Sequence, residues 1–288
     1  MRAPFVPRGF AVALSISALL WCISSCTLLR PLHGLGCEPG AGDASCVYGE
    51  PCATAADCAT TTCADERCQC PMDMVTIESA FCIDRTEVSN GAYRAFLATK
   101  PDVHKQAPYC AFNVDFDFDL GVDVCKSRKS EDSFPATCVD WCDAKAFCEH
   151  IGKRLCGKIH GGPLPDEGYK DATQSEWFDA CSKGGELEYP TGSFDASQCR
   201  GSGMTPRPIR GSMGEACEGG YSGLENMSGN VREWEDSCAA AVGPDDRCLT
   251  RGGAFDSSGD AADLRCDTHD QRERSDTDVT IGFRCCSG

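Results

Sequence analysis

Three kinds of side chain in this sequence could carry chemistry: an excess of cysteines, a run of alternating aspartates, and a few histidines. There are 24 cysteines in 288 residues. A free thiolate is a nucleophile and a soft metal ligand, whereas a paired cysteine is only a staple. The spacing is too irregular for the C-x-x-C pairs of zinc sites. The aspartates of VDFDFDLGVD, Asp115, Asp117, Asp119 and Asp123, mimic the start of an EF-hand loop. Its glycine falls one place late, however, and Lys126 stands where the last ligand should be a glutamate. The alternation predicts an exposed strand instead, with carboxylates on one face and Phe116 and Phe118 on the other. His33, His104, His150, His160 and His269 are dispersed, and His150 suits a charge at a helix C-terminus better than a general base. G-x-S-x-G, H-E-x-x-H and P-loop patterns are missing.

Compartment decides what the cysteines do. Arg2 and Arg8 precede an apolar run from Phe10 to Trp21, the length of an export signal. A membrane span needs roughly 20 apolar residues, so the run is short for one. It ends in Ile23-Ser24-Ser25-Cys26, which resembles a bacterial lipobox. The expectation is a signal peptide over residues 1–25, acylation at Cys26, and a lipid-anchored tether over 26–36. That places the protein in the bacterial cell envelope, as an outer-membrane lipoprotein or at the cell surface. Loss of Cys22 with the signal and acylation of Cys26 leave 22 cysteines, an even number suited to disulfides in an oxidising compartment. The formal charge of −17 argues against nucleic-acid partners, which require a basic patch. The expected partners are the membrane, through the lipid, and a surface ligand or protein of unknown identity.

Residues 37–70 hold seven cysteines and almost no bulky apolar residue, which predicts a disulfide-dependent stalk. The domain from 71 to 288 holds the other fifteen, so if all pair, at least one bridge joins the two. Within the domain, Met74 to Ile77 and Phe81 to Asp84 read as short strands. Ser89 can cap a helix that buries Tyr93, Phe96 and Leu97. A second helix begins at Asp140, with Ala144, Phe147, Cys148 and Ile151 on one face and Gly152 at its end. A third starts from the capping pair Thr173 and Glu176, buries Trp177, Ala180 and Cys181, and stops at Gly184 and Gly185. Among the remaining cysteines, proximity favours Cys110 with Cys125, Cys199 with Cys217 and Cys238 with Cys248.

The opening MVTIESAFCIDRTEVSNGAYRAFL and the blocks GLENMSGNVREWEDSC, RGGAF and GFRCC, in this order, resemble the formylglycine-generating enzymes, or sulfatase-modifying factors. The resemblance spans roughly residues 72 to 286, with CGKIHGGPLPDEGYKDATQS as an insertion. It implies a disulfide-rich, C-type-lectin-like α+β fold with little regular secondary structure. It also implies bridges from Cys148 to Cys285 and from Cys181 to Cys266. Calcium would be held by Asn226, the carbonyls of Gly229 and Val231, and Glu233, an oxygen-only set suited to a hard cation. The family's second calcium site is not recognisable in residues 198–219.

In the catalytic members two cysteines lie between RGG and GFR. The matching positions here are Ser257 and Ala262. Neither can supply the soft thiolates that copper(I) and thiol exchange require. The expectation is therefore a non-catalytic, calcium-stabilised domain for recognition at the cell surface. The alternative is an oxidase that converts a sulfatase cysteine to formylglycine, or a related oxidative enzyme using other residues.

Overall fold

The computed structural model describes residues 62–64, 67–78, 81–118, 125, 131–199, 217–257 and 259–288. The signal and tether expectations, Cys26 included, lie outside them, as do Asp119, Asp123 and Lys126. Strands β1 (Thr62–Ala64) and β2 (Arg67–Gln69) pair antiparallel as a small ladder. β3 (Met74–Ile77) and β4 (Phe81–Asp84) then start a four-stranded sheet completed by β10 (Cys285–Ser287) and β5 (Arg154–Leu155), in the order β3-β4-β10-β5. The chain's last strand thus pairs with one of its earliest, Cys286 opposite Ile83. A second sheet has the order β8-β7-β6-β9, from β6 (Arg232–Cys238), β7 (Arg247–Arg251), β8 (His269–Glu273) and β9 (Ile281–Phe283). β6 and β9 run parallel, with Glu233 opposite Gly282, and that register brings the VREW and GFR blocks side by side.

The helices among the described residues are short and sharply capped. α1 (Asn90–Ala98) starts at Ser89, whose hydroxyl accepts from the Ala92 amide; Tyr93 and Phe96 are buried. α2 (Trp141–His150) opens on a reciprocal box between Asp140 and Asp143, each carboxylate accepting from the other's main-chain N–H. Ile151 falls just past its last turn and is 43% exposed, so the expected apolar face ends at Cys148. α3 (Glu176–Ser182) is capped by Ser175, whose hydroxyl accepts from the Phe178 amide, rather than by Thr173, which lies inside the turn closed by the Gln174 amide on the Asp171 carbonyl. No helix among the described residues is long and apolar enough to cross a membrane.

One apolar cluster packs Tyr93, Phe96, Phe147, Trp141, Trp234 and Phe283 between α1, α2 and the second sheet. Another gathers Ile77, Phe81, Trp177, Leu224 and Met227 around α3. Phe116 and Phe118 are buried while Asp115 and Asp117 face solvent. The alternation is real, but those residues form no strand: they run beside the first cluster without a ladder partner.

Disulfides tie this irregular backbone together. Cys148 is bonded to Cys285, Cys156 to Cys286 and Cys181 to Cys266, so both C-terminal cysteines are anchored separately. The first of these spans 137 residues. Loops of roughly a hundred residues gain about 4–5 kcal/mol in the chain-entropy model. Cys199 pairs with Cys217 and Cys238 with Cys248. Cys110 departs from expectation, bonding Cys142 on the buried start of α2, while Cys125 bonds Cys138. Sequence proximity ranks pairs only when no helix carries a cysteine to the same place. Cys70 to Cys82 joins the cysteine-rich segment to the first sheet.

Candidate functional site

Just before β6, from residue 226 on, the loop turns tightly enough to need three left-handed residues: Asn226 at φ +57°, Gly229 at +76° and Asn230 at +59°. Asparagine tolerates this region better than other residues with a Cβ, because its short amide bonds locally. Both amides reach one carboxylate that sequence reasoning missed. Asn226 Nδ2 donates to Glu87 Oε2 at 3.0 Å and Asn230 Nδ2 to Glu87 Oε1 at 2.7 Å. The only sequence signal for Glu87 is an acidic residue ahead of the apolar Val88 and the Ser89 cap.

Glu233, at the start of β6, is buried and heavily engaged. Its Oε2 accepts from Arg284 Nε at 2.7 Å and Trp177 Nε1 at 2.8 Å, and its Oε1 from Arg284 Nη2 at 2.7 Å. Arg284 also donates to the carbonyls of Asp84 and Glu225, closing the first sheet onto the loop. The same guanidinium acts on Glu87 through its field, without a direct bond. Burial pushes the Glu87 carboxyl up to about 7, with the Glu233 charge adding to the rise; Arg284 and the two amides pull the other way.

An ionised carboxylate offers about four lone-pair sites, and Glu233 uses three. One remains on Oε1. The Asn226 side-chain oxygen and the main-chain carbonyls of the turn are, like Glu233, oxygen donors of the kind a hard cation takes. Another close trio of potential ligands is Cys156, Glu176 and Cys286, all within 4.8 Å. It does not fit a metal as it stands: the two sulfurs are bonded to each other and Glu176 is paired with Arg154.

The RGG block works structurally. Arg251 is fully buried, its guanidinium 4.9 Å from the Trp177 ring centre and its Nε 3.6 Å from Glu235 Oε2. Trp177 therefore serves both blocks, offering its N–H to Glu233 and its face to Arg251. Burial raises the Glu235 carboxyl to about 7, opposed by Arg251 and by the Ser175 hydroxyl that donates to it. A Cβ on Gly253 would stand 2.4 Å from the Asp263 carbonyl, so glycine is what lets residues 261–264 close over this block.

Ser257 lies in that closure, buried, with its hydroxyl accepting from the Ala254 amide at 3.0 Å. It completes a turn. Ala262 is exposed in a short 3-10 turn, and its carbonyl accepts from the Thr268 hydroxyl. Every described cysteine is in a disulfide. His150 sits at the end of α2 against Phe96, and none of the other described histidines joins the Glu233 cluster through a hydrogen bond or ring contact.

The sequence model of the "Sulfatase-modifying factor enzyme 1-like domain" matches residues 48–287, which carries the match into the cysteine-rich segment. No curated protein sequence matches the chain. Among solved structures, CarF is 21% identical over 72% of this chain and 85% of its own, with a TM-score of 0.42. PvdO from Pseudomonas aeruginosa is 18% identical over 74% and 82%, with a TM-score of 0.46. Treponema denticola variable protein 1 is 19% identical over 73% and 84%, with a TM-score of 0.43. The register that sets VREW beside GFR, and the family match across most of the chain, lead to one conclusion: this chain belongs to the sulfatase-modifying factor enzyme 1-like family.

Proposed function

We propose that this protein is an exported, lipid-anchored member of the family that has kept the scaffold and lost the oxidase chemistry. Its domain serves recognition at the bacterial cell surface and is stabilised by calcium bound at Asn226, Gly229, Val231 and Glu233. The observation that carries the non-catalytic reading is the state of the sulfurs. Copper(I) chemistry and thiol exchange need thiolates, yet all described cysteines are bonded, and Ser257 spends its hydroxyl on a turn. Calcium, when bound, would supply cross-linking charge between the loop and β6. The residues themselves orient Glu233 through Trp177 and Arg284. The anchor at Cys26 and the signal over residues 1–25 rest on the sequence pattern alone.

The test pairs thiol counting with a substrate assay. Alkylation of the native full chain followed by mass spectrometry should find no labelled cysteine between 63 and 286. A Cys-x-Pro-x-Arg peptide incubated with the protein, copper and oxygen should keep its thiol. Two labelled cysteines together with aldehyde formation would instead establish the oxidase.

A further inference from the structure

Away from the Glu233 cluster, a cleft of about 840 Å³ opens between the end of α1, the segment 99–110 and the outer face of α2. Its size falls within the roughly 300–1,000 Å³ typical of small-molecule sites. The floor is apolar, made by Phe96, Phe116, Ala146 and the Cys110–Cys142 bridge. The wall opposite α2 is fixed before any ligand arrives. Gln106 Nε2 donates to the carbonyls of Val103 and Asn113, and Asn113 Nδ2 donates to Asp143 on α2.

Charge at the rim is opposite to that of the chain as a whole. Lys100, Lys105 and Lys145 line the cleft of a protein whose formal charge is −17. Among the described residues, Lys100 and Lys105 make no ion pair, while Lys145 is balanced by Glu149 and Asp236. Of the two acids at the rim, Glu149 is occupied in that pair, and Asp102 accepts from the His104 amide but keeps its charge, so Lys100 and Lys105 exceed it by one. The Thr99 hydroxyl donates to the Phe96 carbonyl, so its contact with His150 Nε2 makes that nitrogen the N–H. Cationic donors above an apolar floor match one chemistry.

We infer that this cleft binds a small amphipathic organic anion, an aryl or alkyl carboxylate whose charged end meets Lys100 and Lys105 and whose body lies on Phe96, Phe116 and Ala146. The site shares no residue with the calcium set or with positions 257 and 262, so it stands whichever way the function above is decided.

The test titrates the full chain with 2-naphthoate, followed by fluorescence anisotropy, beside neutral 2-naphthalenemethanol and cationic 2-naphthylmethylammonium. The carboxylate should bind at least tenfold tighter than either, and less tightly as salt rises. The double variant Lys100→Gln/Lys105→Gln, both on the surface, should lose about tenfold of that affinity. Ala146→Trp should fill the floor and abolish binding. Equal binding of the alcohol or the ammonium ion would overturn the proposal, as would unchanged affinity in the lysine variant, which holds even if Ala146→Trp fails to fold.

Discussion

At the residue scale the central question is what Glu233 does with its last lone pair. Three charge-assisted or indole hydrogen bonds already hold it, and removing its charge strands a buried guanidinium. Breaking such a pair from one side costs about 3–5 kcal/mol. Glu233→Gln should therefore lower the melting temperature whether or not calcium binds. The diagnostic is the response to chelation. EGTA should depress the melting temperature of the unsubstituted protein by several degrees and leave Glu233→Gln unmoved. If EGTA changes neither protein, Glu233 is an ion-pair partner and nothing more. Glu87 shows why this cluster was only half legible in the sequence. The family blocks name Asn226 and Glu233, but the carboxylate that both asparagines address lies 139 and 143 residues away from them. No local periodicity encodes such a partner.

At the element scale, legibility followed the range of the forces. The strands Met74–Ile77 and Phe81–Asp84 and the caps Ser89 and Asp140 are set by neighbouring residues, and they stand where the pattern put them. The cap of α3 falls at Ser175 because the Asp171–Gln174 turn takes Thr173 out of reach of the helix start, and Cys110 found Cys142 because α2 carries that sulfur inward. The RGG block was legible as a landmark but not as a hinge of packing. Its second glycine lies under the 261–264 turn, where a methyl group would meet the Asp263 carbonyl at 2.4 Å and a Leu264 methyl at 3.0 Å. Overpacking of this kind costs about 1–3 kcal/mol. Gly253→Ala should lower the melting temperature by several degrees, whereas Gly243→Ala, with open space around it, should have little effect. Equal stability of the two variants in thermal denaturation would mean that the turn shifts freely.

At the scale of the whole molecule, an acidic chain has buried several of its acids. Burial is the leading cause in each case: it raises the carboxyls of Glu87 and Glu235 to about 7 and Asp140 to about 6, and it moves Asp143 well above its usual range. The folded state therefore holds protons that the unfolded chain releases near its ordinary carboxylate values of about 4. Stability from these groups is fully present below about pH 4 and is lost as the pH rises through 6 and 7. The opposite group, Asp171, Asp195, Asp246 and Asp267, has lowered values, so its contribution fades only as the pH falls below the ordinary range. The two trends place maximum stability near pH 4–5, and relief of self-repulsion in a chain of charge −17 adds to the acid side. One group titrating two units high is worth on the order of 2–3 kcal/mol, and for a domain this size each kcal/mol moves the melting temperature by about 2–4 °C. Even one such group should raise the melting temperature by at least about 5 °C between pH 8 and pH 5. Asp140→Asn isolates the cause, since asparagine caps a helix as well as aspartate does but cannot ionise. That variant should flatten the slope between pH 5 and 7 while keeping the fold, and an unchanged slope would remove the Asp140–Asp143 pair from the explanation.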